Sequence, residues 1–321
     1  MPAAAKSKPP KPPRKSIGGR NAQWTTLRSR GLLLVRARSL ANLPRIVHAF
    51  TTRPGGASSL ADSRAKSKSS RISSEKVLNL GFTDWDTREN VIENRARLLS
   101  ALGVKNVQLV TLKQIHSDIV HVFNSAPAEV LQGDSVITAT PGLLLAAQTA
   151  DCIPILLTDP KNRVVAAIHS GWRGTLRRIA AKTIGRMQMV FGTRPADVIA
   201  AIGPGIGRCC YEVGVEVVKE FAAQFPKAAD WFTGPYEQLS TGEEPNPFLW
   251  LSMSPPGHEP PPPTAQLDLS AANRAILEEA GVPSRNITAS DLCTSCRTDF
   301  LFSHRREAGR TGRQLAVIGL R

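Results

Sequence analysis

The chain has 321 residues, 41% of them hydrophobic and 21% charged, an ordinary globular composition for one large domain or two small ones. A disordered or fibrous chain is excluded, and so is a membrane-spanning helix, because no run reaches the ~18 uninterrupted apolar residues that one needs. The net charge of +15 is local: residues 1–76 carry 17 Lys and Arg against 2 Asp and Glu, and the rest of the chain 24 against 24.

That division separates a basic Pro/Lys tail over 1–20 from residues 21–321, which read as one domain without an internal linker. Pro and Lys leave nothing to pack, so the tail is expected to be disordered, with weak attraction to anions and no specific nucleic-acid recognition. A Ser/Lys/Arg insert at 62–76 is the second basic stretch. The N-terminus has no apolar core behind its charges, and five cysteines are a poor disulfide framework. The expected compartment is therefore the cytoplasm.

In chain order, IVHAFTT (46–52) reads as a strand closed by the turn signal Arg53-Pro54-Gly55-Gly56. Residues 86–102 read as a helix, with Val91, Arg95, Leu98 and Leu102 at helical spacing and Gly103 as its stop. Strands are expected over 107–112, 119–123, 134–138, 143–148, 153–157 and 164–169. A helix over 175–190, a buried strand over 198–203 and a helix over 215–225 follow. Residues 233–265 read as a loop or insertion, proline-rich over 245–263, before a helix over 268–280 and a last strand over 314–320. Several strands are joined by connections too short for a crossover helix and must be antiparallel. The sheet is therefore mixed and the fold class α+β.

Chemistry concentrates in ADCIPILLTDPKNRVVAAIHSGWRGT, residues 150–175. Two apolar strands flank Asp159-Pro160-Lys161-Asn162, a hairpin turn signal. If Leu157 pairs with Val164, the register carries Cys152 opposite His169, close enough to share a metal ion or to form a thiolate–imidazolium pair. A third ligand is available from Gln114-Ile115-His116-Ser117-Asp118. Two His and one Cys make a catalytic zinc set with an open fourth position. The same trio serves blue copper, but the four methionines (1, 187, 189 and 253) lie beside none of the three. A buried thiol with a core histidine is the bland alternative.

Other features are weaker. His48 and His121 lie on expected strands and read as packed or solvated, His258 lies in the proline-rich loop, and His304 sits beside Ser303, Arg305 and Arg306. Gly203-Pro204-Gly205-Ile206-Gly207 follows a strand and could turn backbone N–H groups toward an anion. Cys209-Cys210 and Cys293-x-x-Cys296 could combine as a four-thiolate zinc site, although adjacent cysteines are awkward chelators. Arg53, Arg173, Arg305 and Arg306 sit in Gly/Ser-rich turns, where Arg suits phosphate.

The ordered blocks HAFTTRPGGAS (48–58), LNLGF (78–82), QIHSD (114–118), GDSVIT (133–138), TADCIPILLTD (149–159), AAIHSGWRGT (166–175), AAIGPGIGRCCYEVG (200–214), LDLSAANRAIL (267–277) and FSHRREAGRTGRQLAVIGL (302–320) resemble the laccase-domain family, the polyphenol oxidoreductase laccase or purine nucleoside phosphorylase family. The resemblance runs from about residue 32 to the end of the sequence. It implies a single α/β/β/α layered domain with mixed sheets and one zinc per chain held by His116, Cys152 and His169. It also implies phosphorolysis of adenosine, inosine, guanosine and 5′-methylthioadenosine, with deamination of adenosine. Ser170, where the family has Ala, and His304, where Tyr is common, depart from the pattern at the pocket rim.

The reading is a zinc-dependent purine nucleoside phosphorylase with adenosine deaminase activity, its partners being purine nucleosides and phosphate. Zinc lowers the pKa of a bound water toward ~7, which suits hydrolysis at C6. Arg53, Arg173 or Arg305 is expected to hold phosphate, and Asp151 and Asp118 to move protons or orient ligands. A copper-dependent polyphenol oxidase is the main rival; six histidines with no His-x-His pair are few for a multicopper centre. A Cys152–His169 hydrolase-like enzyme and a binding or assembly role complete the alternatives.

Overall fold

Nearly unbroken apolar runs such as LLLAAQT, IPILLTD and VVAAIHS have no polar face to offer water, so each has to be covered on both sides. In the computed structural model, which describes residues 23–60, 75–241 and 264–321, they are. One six-stranded sheet has the spatial order Trp24–Ser29, Leu32–Ala37, Ile46–Thr51, Gln314–Leu320, Leu143–Thr149, Gln108–Val110. The other has the order Ile287–Ala289, Ile199–Ile202, Ile153–Asp159, Val164–Ser170, Ser135–Thr138, Val120–Val122. The interior neighbours are antiparallel; the edge strands Gln108–Val110, Ile287–Ala289 and Val120–Val122 are parallel to theirs. The sheets are mixed, as the short connections required.

The period-2 alternation of a strand sorts the side chains into layers. Leu145, Ala147, Phe50 and Ile318 of the first sheet meet Leu156, Val165, Ala167 and Ala201 of the second in one core between the sheets. The intervening Leu144, Ala146, Ala49 and Val317 turn outward onto Leu98, Ala101 and Leu102 of the helix Arg88–Leu102. On the far side, Ile155, Leu157, Ala166 and Ile168 pack on helices Ile179–Phe191, Val215–Gln224 and Leu269–Glu279. The order is helix, sheet, sheet, helices, the α/β/β/α arrangement. Among the described residues no helix is long and apolar enough to cross a membrane.

The long apolar elements lie where their patterns put them, and the departures have local causes. Pro54–Leu60, expected to begin with a turn, is a strand paired with Glu75–Val77 through a bulge. The helix expected over 175–190 is two helices, Trp172–Leu176 and Ile179–Phe191, because Arg178 adopts a left-handed φ of 58° between them. The expected 233–265 loop contains the helix Tyr236–Thr241 and ends in the strand Ala265–Leu267. The hairpin Trp24–Ser29 with Leu32–Ala37 was not anticipated. The basic tail at 1–20, the insert up to residue 74 and the proline-rich 245–263 lie outside the described residues.

The hairpin register matters most for the site. Asp159, expected within the turn, belongs to the ladder and pairs with Val164. Its carboxylate accepts from the N–H groups of Lys161 and Asn162 at 3.0 and 3.2 Å, so the loop is residues 160–163. Every pair is displaced by two from the expected register, and His169 pairs with Pro154. A slip of one would have turned the side chains to opposite faces; a slip of two preserves the face. Cys152 therefore remains on the His169 side, diagonal to it.

Candidate metal centre

Three short connections meet at the same end of the second sheet's strands. His169 is the penultimate residue of its strand, Cys152 directly precedes the strand Ile153–Asp159, and His116 lies in the loop before Val120–Val122. Their ligand atoms all lie within 4.8 Å of one another, with Cys152 Sγ 3.7 Å from His116 Nε2. The two imidazoles meet edge to face at 4.9 Å between centroids. Gly171 makes the convergence possible: a Cβ there would come within 2.9 Å of the His116 ring and 3.0 Å of Cys152 Sγ.

The residue that organises this end is Asp134, which sequence reasoning missed as a site residue. It is buried, and one oxygen lies 2.8 Å from His169 Nδ1 and accepts from the His116 N–H at 3.1 Å. The other oxygen accepts from the N–H and hydroxyl of Ser117, each at 2.6 Å. One carboxylate thus holds the His169 ring and the left-handed backbone of His116, whose φ is 58°. With Nδ1 engaged, His169 is left with Nε2 to offer a ligand, the usual carboxylate–histidine arrangement of metal sites. The only signal in the sequence was an acid opening the strand in GDSVIT.

The charges follow from these neighbours. Burial disfavours a Cys152 thiolate, but His169 and His116 outweigh it and hold the thiol at about 6. Burial likewise opposes an imidazolium at His169, and Cys152 and Asp134 override it, raising the group to about 9. Asp134 is lowered to about 2, its burial outweighed by His169 and Ser117. Without a cation between them, Cys152 and His169 are a thiolate–imidazolium pair.

The donor set fits a zinc-type ion. A tetrahedral centre with Zn–S of about 2.3 Å and Zn–N of about 2.0–2.1 Å places its S and N ligands about 3.5 Å apart, against 3.7 Å between Cys152 and His116. The trio opens into a cleft of about 470 Å³, within the range of small-molecule sites. Phe82, Tyr211, His304, Arg305 and Arg313 line its walls. The Arg305 guanidinium lies 5.4 Å from the Tyr211 ring and donates to the Glu212 carbonyl at 2.9 Å. Burial raises the Tyr211 phenol above its usual value, so it stays protonated.

The remaining expected site residues are dispersed. Asp151 lines the cleft, with both carboxylate oxygens engaged by Thr294 Oγ1 at 2.5 Å and the Arg305 N–H at 2.6 Å. Asp118 pairs with Lys182 and does not line the cleft. Arg53 is buried, bound to Glu307 at 2.6 Å, and outside the cleft lining. Arg173 is exposed and lies over the Trp172 ring. Arg313, which sequence reasoning did not single out, does line the cleft. In Gly203-Pro204-Gly205-Ile206-Gly207, the N–H groups of Gly203, Ile206 and Gly207 donate to Pro154 O, Asp151 O and Cys293 Sγ. The expected anion cradle is therefore not formed.

Two sheets face to face between helices, with three potential metal ligands at one end of the second sheet's central strands and a cleft above them, define an α/β/β/α domain with a candidate metal site. The chain belongs to the family described as multi-copper polyphenol oxidoreductase laccase, whose sequence profile matches residues 47–321. It is 41% identical over 290 residues to a purine nucleoside phosphorylase of Deinococcus radiodurans, covering 90% of this chain and 94% of that one. It is 34% identical over 242 residues to adenosine deaminase RL5 of an unknown prokaryotic organism, covering 73% and 83%. The crystal structure of YlmD from Geobacillus stearothermophilus superposes with a TM-score of 0.72 at 33% identity, covering 92% of this chain and 97% of that one.

Proposed function

We propose that the chain is a zinc-dependent purine nucleoside phosphorylase that accepts adenosine, inosine, guanosine and 5′-methylthioadenosine and also deaminates adenosine. The observation that carries the reading is the convergence of His116, Cys152 and His169 at the base of the cleft, with Asp134 fixing both histidines. The names of the relatives supply the reaction class. His116 Nε2, Cys152 Sγ and His169 Nε2 are the ligands in this reading. A bound zinc ion supplies Lewis acidity at neutral pH.

The chain's own groups do the rest. The Tyr211 ring, which lines the cleft, offers an aromatic face on which a purine can stack. Lys113, Arg305 and Arg313 are the cleft-lining cations available to phosphate, and they replace Arg53, whose charge is committed to Glu307. Asp151 holds the Arg305 backbone and so acts as a positioning residue, not as the proton carrier. Asp118, paired with Lys182 away from the cleft, takes no part.

The test is product analysis after incubation with adenosine, with and without phosphate. Adenine and ribose 1-phosphate that appear only with phosphate, together with phosphate-independent inosine, support the reading. Oxidation of a phenol with bound copper and no purine product would replace it with the polyphenol oxidase. Full activity in metal-free protein that Cys152→Ala abolishes would favour a cysteine nucleophile.

A further inference from the structure

The four cysteines outside the centre converge as well. Cys209 and Cys210 lie in a turn in which the N–H groups of Cys210 and Tyr211 donate to the Gly207 carbonyl at 2.9 and 3.1 Å. Cys293 and Cys296 lie in a second turn, closed by the Arg297 N–H on the Cys293 carbonyl at 3.1 Å. A turn of that kind brings positions i and i+3 to one side. An isolated parallel bridge between Gly205 and Cys293 holds the two turns together. All four sulfurs lie within 4.8 Å of one another, with Cys296 Sγ 3.5 Å from Cys209 Sγ and 3.4 Å from Cys210 Sγ.

We propose that Cys209, Cys210, Cys293 and Cys296 form a second metal site that takes zinc or a similarly thiophilic divalent ion in a structural role. A tetrahedral zinc with Zn–S of about 2.3 Å sets its sulfurs about 3.8 Å apart, the spacing that the four thiols approach. A disulfide needs about 2.05 Å. Adjacent cysteines are awkward chelators on a straight strand, but the turn at Gly207 lets both side chains reach one point.

The surroundings suit a thiolate cluster. Four thiolates around a divalent ion carry a net charge of −2, and two kinds of donor face it. The Gly207 N–H donates to Cys293 Sγ at 3.1 Å, and Arg306 Nη2 lies 4.0 Å from Cys210 Sγ while its Nε donates to the Ser295 carbonyl. A Cβ on Gly207 would come within 3.1 Å of Cys293 Cβ and 3.4 Å of two sulfurs, so glycine leaves that approach unhindered. Such outer contacts tune and retain a metal.

The ion would brace the cleft wall. Thr294, between the two cysteines of the second turn, donates to Asp151, the neighbour of Cys152. Tyr211 and Arg305, which line the cleft, directly adjoin Cys210 and Arg306. A cross-link between turns 86 residues apart thus fixes Asp151, Tyr211 and Arg305 at once.

The experiment is metal analysis of the full chain purified under reducing, anaerobic conditions. Wild type should carry two zinc ions per chain. Cys152→Ala combined with His169→Ala, which empties the first site, should retain one; cobalt exchanged into that variant should show the strong thiolate charge-transfer bands of a tetrahedral sulfur site. Cys293→Ser with Cys296→Ser should lose one ion. If that variant does not fold, Cys209→Ser, at the exposed thiol, should still weaken the cobalt charge transfer of the first variant. No metal in the Cys152→Ala, His169→Ala protein, or a cobalt spectrum without sulfur bands, would overturn the proposal. None of these readouts uses a substrate, so they stand apart from the assignment of the reaction.

Discussion

His48 and His169 are both buried on strands of the two facing sheets, and their surroundings give them opposite characters. His48 lies in the first sheet, opposite Ile318, where its Nε2 accepts from the Ala37 N–H at 3.1 Å. Burial, reinforced by Arg36, lowers it to about 3, so it is a neutral packing residue. His169 is as deeply buried but has Asp134 on one nitrogen and Cys152 nearby, and stays protonated to about 9 in the metal-free protein. Burial alone therefore does not mark a functional histidine. A buried carboxylate aimed at one ring nitrogen, with an open cleft at the other, does.

The strongest way to break this comparison is to remove the thiolate. Cys152→Ala should reduce phosphorolysis to background and release the zinc of the first centre, while the fold survives because the surrounding strands are apolar. Turnover, metal content and thermal unfolding on one sample check this. Retained zinc with lost activity would move Cys152 from ligand to nucleophile.

Asp134→Asn should come next. The amide keeps the size but not the charge, and loss of an outer carboxylate typically lowers metal affinity or activity by about 10–100-fold. Zinc titration against a chelator measures it. An unchanged affinity would mean that Asp134 only holds the 115–117 backbone.

The arginines sharpen the comparison from the cleft side. Arg305→Ala should raise the phosphate KM by about tenfold to a hundredfold, the ~1.5–3 kcal/mol of a charge-assisted hydrogen bond, and spare deamination. Arg53→Ala should leave that KM unchanged and lower the melting temperature instead, because it leaves Glu307 in a buried pair without its cation. The reverse pattern would restore Arg53 as the phosphate ligand.

The smallest effect is the pH dependence of stability. His48 is lowered in the fold, so the unfolded chain binds the extra proton; stability should fall by up to about 1.4 kcal/mol per pH unit between its ordinary value near 6.5 and about 3. His169 is raised while its partner Cys152 is lowered, so in metal-stripped protein the folded pair and the unfolded side chains each hold one proton between about 6.5 and 9, and the pair should add almost no slope there. Denaturant unfolding across pH, with ring resonances assigned by His48→Gln and His169→Gln, separates the two. Equal slopes would erase the distinction.

The sequence by itself determined a mixed sheet, because short connections dictated antiparallel neighbours, and its resemblance to the laccase-domain family implied the α/β/β/α layers. It also placed Cys152 and His169 together, since a Cys and a His flanking one hairpin stay on one face through any even slip of register; His116 as the third member came from the family resemblance. That slip was decided by Asp159, whose carboxylate caps its own loop, a choice that strand periodicity does not encode. Asp134 lies 35 residues from His169 and no local pattern connects the two; the Cys209-Cys210 and Cys293-x-x-Cys296 motifs were legible, but only the fold brings Cys210 to Cys296 across 86 residues. Arg53 and Arg305 look alike in sequence, each charged and in a Gly/Ser-rich context. Only the tertiary structure placed one against Glu307 and the other in the cleft, because a guanidinium's role depends on which carboxylate the fold brings to it.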